Sequence, residues 1–251
     1  MAIADVHFFS PALTKEVAFH ALLPDRQAQA GPYPVFYLLH GLSDDYSAWL
    51  RWTKLELYVR ELPLIVVMPD GGRSFYCDAT EGPAYERAIV EDLIGFVDRH
   101  FHTIPNGRGR ALGGLSMGGY GAMKLALKFP DRFRSVVAHS GAHALLRETI
   151  HDDLGPELGR IFGTEEARRT NDPFRLAEQL GPGQAPAIRF DCGVDDFLIE
   201  HNRALHQHLT ELGLPHEYEE FPGGHEWPYW DVHVREAVAF HCRVFGITPP
   251  S

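Results

Sequence analysis

Cysteine is scarce. The chain has three, Cys77, Cys192 and Cys242, among 251 residues. They are odd in number, widely spaced and form no CxxC pair, so they build neither a disulfide framework nor a zinc cluster. They read as free thiols in a reducing compartment, which places the chain in the cytoplasm. Basic residues are also few, 23 Lys and Arg against 34 Asp and Glu, for a formal net charge of −11. That balance argues against nucleic acid or an anionic membrane as the main partner, since both attract basic surfaces. No apolar run is long enough to cross a bilayer. The N-terminal "MAIADVHFFS" lacks the basic and apolar regions of a secretory signal. Histidine is the exception, with 15 copies. Yet no HExxH occurs, and His201, His206 and His208 in "HNRALHQH" do not share a helical face at metal-binding spacing. They read as surface histidines, and the sequence calls for no metal and no cofactor.

What is present is ordinary globular material. Hydrophobic residues make up 45% and charged residues 23%. The length suits one large domain over 1–251. "DVHFFS" and "KEVAFHALLP" read as an antiparallel strand pair around the turn "PALT". "PVFYLLH" and "PLIVVMP" are short continuous apolar runs, which suit strands buried on both faces of a parallel sheet. A helix is expected between them, over about Ser47 to Leu62. Another follows in "AYERAIVEDLIGFVDRHF", where Ile89, Leu93, Phe96 and Val97 repeat at helical spacing.

The alternation goes on. A strand leads into Ser116. The helix after it shows Ala122, Leu125, Ala126 and Phe129 on one face, and Lys124 and Lys128 on another near the end where the dipole favours cations. "SVVAHS" and "APAIRFDCG" are strands. "LIEHNRALHQHLTELG" is a helix with Leu198, Asn202, Leu205, Leu209 and Leu212 in one stripe and Gly213 as its stop. "HEYEEF" alternates as a strand, and "WDVHVREAVAFHCRVFG" closes the chain as a helix. Strands alternating with helices imply an α/β fold, its mostly parallel twisted sheet covered by helices on both faces. His143 to Gly183 is longer than a crossover needs and reads as a cap-like excursion, either a lid or acyl-pocket wall or a decorative insertion.

The chemistry gathers around one serine. Gly114-Leu115-Ser116-Met117-Gly118 matches G-x-S-x-G. A nucleophile on a tight strand-to-helix turn has little room on either side, so glycines two residues away let strand and helix approach. The next helix points its free N–H groups at a developing oxyanion. A serine needs a base, and the base needs an orienting acid, in the chain order Ser, Asp, His. "IRFDCGVDDFL" supplies Asp195 and Asp196 after one strand, and "EYEEFPGGHEW" supplies His225 after the next. His40, His139 and His143 are rival bases. His40 stands at the wrong point in the order, and His139 and His143 flank a strand end as structural residues would. Two backbone N–H groups are needed for an oxyanion hole: that of Met117, directly after the serine, and that of Leu42, after His40-Gly41 in "YLLHGLSDDYSAW".

Together, "LLHGLSDDYSAWLRWT", "LIVVMPDGG", "GGLSMGGYGAMKLALKFPDRF", "CGVDDFL" and "GGHEW" resemble the esterase D and tributyrin-esterase group of α/β-hydrolases. S-formylglutathione hydrolases, feruloyl and acetyl-xylan esterases and mycolyltransferases are relatives of that group. The resemblance covers nearly the whole chain. It implies an α/β-hydrolase fold with a serine carboxylesterase acting on short-chain acyl esters. It maps the nucleophile to Ser116, the base to His225 and the oxyanion donors to Leu42 and Met117. The acid lies three positions after the strand-end glycine, Gly193, which selects Asp196 over Asp195. S-formylglutathione hydrolases often carry a cysteine soon after the oxyanion glycine; here Ser43, Asp44 and Asp45 follow Leu42, which turns the reading toward esters. Glutathione thioesters and feruloyl or acetyl-xylan esters stay as alternatives on the same triad, and an inactive binding module stands behind them. Trp49, Tyr76 and Trp227 lie in loops on the active-site face and are expected in the substrate pocket. Members of the group are often oligomers, though no stretch here identifies an interface.

Overall fold

The computed structural model describes residues 1–25, 30–147 and 154–248. Eight strands form one sheet: β1 (Ala2–Ser10), β2 (Lys15–Leu23), β3 (Val35–Leu39), β4 (Ile65–Pro69), β5 (Arg110–Leu115), β6 (Ser135–His139), β7 (Ala187–Gly193) and β8 (His216–Phe221). Their order is β1-β2-β4-β3-β5-β6-β7-β8. β1 pairs antiparallel with β2, and β2 with β4; every other pair is parallel. Beyond the expected N-terminal pair, then, β2 also joins the parallel block antiparallel.

The central strands are buried on both faces, as their unbroken apolar runs require. In β3, Val35, Tyr37 and Leu39 enter one core while Phe36 and Leu38 enter the other. The period of two sends alternate side chains to opposite faces. One face is covered by α1 (Ala48–Trp52), α2 (Leu55–Val59) and α10 (Trp227–Phe245). The other is covered by α3 (Tyr85–Arg87), six residues of π-helix and α4 (Ile94–His100) in one continuous run, then α5 (Met117–Lys128), α6 (Gly155–Ile161), α8 (Pro173–Glu178) and α9 (Ile199–Glu211). Between α6 and α8 lies α7 (Glu165–Arg169), with no buried residue.

Two helical expectations are corrected. The helix expected over Ser47 to Leu62 is two short ones. Thr53 breaks it with extended backbone; its hydroxyl donates to the Trp49 carbonyl and accepts from Leu55 N–H, so it ends α1 and starts α2. Lys124 lies near the helix end as expected, but it does not reach solvent. It is fully buried, its Nζ 2.7 Å from Glu86 Oε2 and 2.6 Å from the Tyr76 carbonyl, while Lys128 Nζ lies 2.7 Å from Glu86 Oε1. Burial raises the Glu86 carboxyl, but the two ammonium groups outweigh it and hold it below its ordinary value. α5 runs through the middle of the molecule, so even its polar side needed a partner. Leu212, the last member of the α9 stripe, lies past the helix end and is exposed.

The excursion at 143–183 packs as a cover on one end of the α5 face. Leu158, Ile161, Phe162 and Phe174 enter the core, and the Tyr120 hydroxyl donates to the Asn171 carbonyl over 2.7 Å. The part of the excursion at 148–153 lies outside the described residues. Cys77, Cys192 and Cys242 are buried free thiols. Among the described residues no helix is long and apolar enough to cross a membrane.

Candidate active site

β5 ends at Leu115 and α5 begins at Met117, so Ser116 alone makes the turn. Its φ of 53° and ψ of −115° lie where non-glycine residues seldom go, a strain of order 1–3 kcal/mol. The surroundings hold it there. Ser116 N–H donates to the His139 carbonyl over 3.0 Å, and the Ser116 carbonyl accepts from Tyr120 and Ala142 N–H. A Cβ on Gly114 would sit 2.6 Å from the Gly118 backbone, and one on Gly118 would sit 2.5 Å from the Leu39 carbonyl oxygen. Strand, helix and the end of β3 meet backbone to backbone, and only glycine at both positions permits it.

The structure brings Ser116, His225 and Asp196 together. His225 Nε2 lies 3.0 Å from Ser116 Oγ, and His225 Nδ1 lies 3.0 and 2.9 Å from the two oxygens of Asp196. An Nδ1–H donating to the carboxylate leaves Nε2 free to accept from the hydroxyl. The Asp196 side chain is fully buried, whereas that of His225 is 19% exposed and faces a cleft. Burial raises the Asp196 carboxyl, but hydrogen bonds from His225, the Leu198 N–H and Ser140 outweigh it and keep it below the ordinary range. Asp195, the rival acid, points to solvent, and its N–H donates to the Gly223 carbonyl over 3.0 Å. That bond, and one from Val194 N–H to the Phe221 carbonyl, tie the loop bearing Asp196 to the loop that leads to His225.

Leu42 lines the cleft, and Met117 directly follows Ser116, which also lines it. Met117 opens α5, so its N–H has no partner within the helix. The loop carrying Leu42 is fixed from behind. Gly71 N–H donates to His40 Nε2 over 2.8 Å, which puts the ring proton on Nδ1, 2.7 Å from the Gly41 carbonyl. The Tyr76 hydroxyl donates to the His40 carbonyl over 3.0 Å.

The cleft has a volume of about 860 Å³ and is lined by Leu42, Ser116, His225, Trp227 and their neighbours. Trp227 stands where the sequence analysis expected it. Trp49 and Tyr76 do not. Trp49 is fully buried beneath the cleft, its Nε1 donating to the Leu39 carbonyl over 3.0 Å. Tyr76 is fully buried between Gly71 and Gly121, where no Cβ would fit. Both hold up the cleft floor and do not line it. Trp52, Phe197 and Trp230 line it instead. Trp52 stacks on Trp227 at 6.5 Å, and the Phe197 ring lies 4.4 Å from that of His225. No periodicity marks these three, because two stand at helix or loop edges and Trp230 enters only through the packing of α10. Among the described residues, none of the excursion lines this cleft.

The rival histidines His139 and His143 are both buried away from the cleft. His139 is fully buried with Nδ1 2.8 Å from Asp191 Oδ2. His143 is fully buried with no hydrogen bond to its ring among the described residues, and burial lowers its pKa to about 3. Of the three histidines expected at the surface, His201 is buried, while His206 bonds His216 and His208 bonds the Phe174 carbonyl.

The Esterase family model matches residues 10–241. The chain belongs to the esterase family. It is 29% identical over 269 residues to an acetyl esterase of Caldicellulosiruptor saccharolyticus, covering 97% of this chain and 99% of that protein. Among solved structures it is similar to FphF, a fluorophosphonate-binding serine hydrolase of Staphylococcus aureus. The TM-score is 0.85 at 28% identity, covering 95% of this chain and 97% of that one. It is also similar to the S-formylglutathione hydrolase FrmB of Staphylococcus aureus, with a TM-score of 0.80 at 27% identity, covering 96% and 99%. This member of the esterase family has the α/β-hydrolase fold and is a carboxylic ester hydrolase.

Proposed function

We propose that the protein is a serine carboxylesterase that cleaves short-chain acyl esters through an acyl-enzyme. Ser116 Oγ attacks the ester carbonyl while His225 Nε2 takes its proton, and Asp196 orients the imidazole and stabilises its charged form. The N–H groups of Leu42 and Met117 receive the oxyanion. The intermediate collapses, and His225 returns the proton to the departing alcohol. Water then attacks the acyl group with His225 as base, and the acid leaves from Ser116. The observation that carries this reading is the unbroken hydrogen-bond line from Ser116 through His225 to the buried Asp196. The likeness to an acetyl esterase along nearly the full length supports a small acyl group.

The test is hydrolysis of p-nitrophenyl esters from acetate to dodecanoate by the wild type and by Ser116→Ala. Activity is expected to peak at the short chains and to fall by roughly a thousandfold or more in the variant. Undiminished activity in Ser116→Ala would remove the nucleophile assignment, and a peak at dodecanoate would remove the short-chain one. The likeness to an S-formylglutathione hydrolase favours a second reading, thioester hydrolysis on the same residues. S-acetylglutathione and phenyl acetate, compared in one assay, separate the two.

A further inference from the structure

The cleft has a one-sided charge. Its described lining holds three carboxylates, Asp44, Glu226 and Asp231, and neither Lys nor Arg. The three are not equivalent. Asp231 is engaged: its Oδ1 accepts from Lys54 N–H over 2.7 Å and from the Tyr58 hydroxyl over 3.2 Å, and Lys54 Nζ stands 3.5 Å from Oδ2. Glu226 is exposed at the rim, where water and salt screen it. Asp44 is half-buried, and among the described residues its carboxylate takes no hydrogen bond and no ion pair. The nearby cation, Arg51, is bonded to Ser47 and pairs with Asp45. Burial raises the Asp44 carboxyl, and the nearby His40 and Arg51 offset that only in part.

Its position matters more than its environment. Asp44 Oδ2 lies 3.2 Å, and Ser116 Cβ 3.9 Å, from the point a Cβ on Gly41 would occupy. The carboxylate and the serine therefore border the same small space beside the oxyanion loop. An ester attacked by Ser116 would therefore lie beside a carboxylate that no hydrogen bond or ion pair among the described residues neutralises.

We propose that the cleft selects esters by charge, admitting neutral acyl and alcohol groups and disfavouring anionic ones, with Asp44 as the discriminating side chain. The proposal rests on Ser116 being the nucleophile. It names a substrate class, uncharged esters, and sets the protein apart from hydrolases of doubly carboxylated thiol esters such as those of glutathione.

The test uses matched pairs at pH 8 and low salt. p-Nitrophenyl hydrogen succinate against p-nitrophenyl 4-methylpentanoate puts the charge on the acyl side. 4-Acetoxybenzoate against its methyl ester puts it on the alcohol side. In the wild type the neutral member of at least one pair is expected to have the higher kcat/KM. In Asp44→Asn that neutral-to-anionic ratio is expected to fall by roughly fivefold to twentyfold, and in Asp44→Ser by a similar factor. In Glu226→Gln it is expected to change less than twofold. Because each ratio is taken within one preparation, a fraction of misfolded variant leaves it unmoved. Ratios near one in the wild type, or ratios unchanged in both Asp44 variants, overturn the charge selection while leaving the esterase reading intact. If the wild type cleaves neither member of either pair, both readings fall.

Discussion

Two histidine–aspartate pairs stand at the ends of neighbouring strands, and they look alike. In one, His225 Nδ1 is 2.9 Å from Asp196; in the other, His139 Nδ1 is 2.8 Å from Asp191. The first has a serine hydroxyl on its other nitrogen and an imidazole open to a cleft. The second has both side chains fully buried, with Tyr229 donating to the free aspartate oxygen and no partner for Nε2 among the described residues. β6 and β7 place His139 directly beside Asp191 in register, so that pair welds two strands. Asp196 and His225 lie beyond the strands, on loops. The same hydrogen bond thus serves packing in one place and is available to chemistry in the other, and the difference is what stands at Nε2.

The largest way to sharpen that contrast is to remove each imidazole. His225→Ala is expected to lower kcat by roughly 10³- to 10⁶-fold with little change in melting temperature. His139→Ala is expected to destabilise the fold by about 3–5 kcal/mol, as loss of one partner from a buried pair does, while kcat per folded molecule stays within about threefold. Steady-state kinetics and denaturant titration on both variants measure this. A large kcat loss without destabilisation in His139→Ala would break the contrast.

A smaller effect separates buried histidines from the exposed one by acid. His143 and His241 are fully buried, and burial lowers the pKa of each to about 3. The unfolded chain protonates them below about 6.5. The unfolded state then holds protons that the folded state declines. Stability is therefore full above about 6.5 and declines by about 1.4 kcal/mol per pH unit for each histidine as the pH falls toward 3. Denaturant titrations at pH 7 and pH 5 are expected to show this slope, and His143→Gln to make it shallower. An equal slope in the variant would mean that His143 charges inside the fold.

The smallest effect tests the loop that faces the serine from the other side. Tyr76→Phe removes only the hydroxyl bonded to the His40 carbonyl. The expected result is a kcat loss of about tenfold with KM within twofold, since a loosened oxyanion donor is felt mainly in the transition state. An unchanged kcat would show that His40 and Gly71 fix the loop unaided.

The fold was legible because its signals are local. Short unbroken apolar runs such as "VFYLL" and "IVVMP", rich in β-branched or aromatic residues and bounded by prolines or loops, suit strands buried on both faces, and those strands are there. The break in the first helix was also written locally, in the β-branched, cap-forming Thr53, but apolar spacing alone runs across it. Lys124 was illegible from spacing, because its partner Glu86 is 38 residues away and only the fold makes the pair. Ser116, Asp196 and His225 could be listed from motifs and strand ends, since chain order along a parallel sheet translates into position at one edge. Trp49 and Tyr76 mark the limit. A loop residue at that edge can face the cleft or support it from below, and the choice depends on packing with Leu39, Gly71 and Gly121, which no motif encodes.

The bonds between the loops after β7 and β8 have a consequence for anyone rebuilding this protein. A Cβ on Gly193 would sit 2.2 Å from the Gly223 carbonyl oxygen, so the two loops touch through their main chains as well as bonding through them. Asp196 and His225 are therefore carried on one composite piece and cannot be exchanged separately. A graft of the His225 loop from another hydrolase would have to bring its own Asp196 loop.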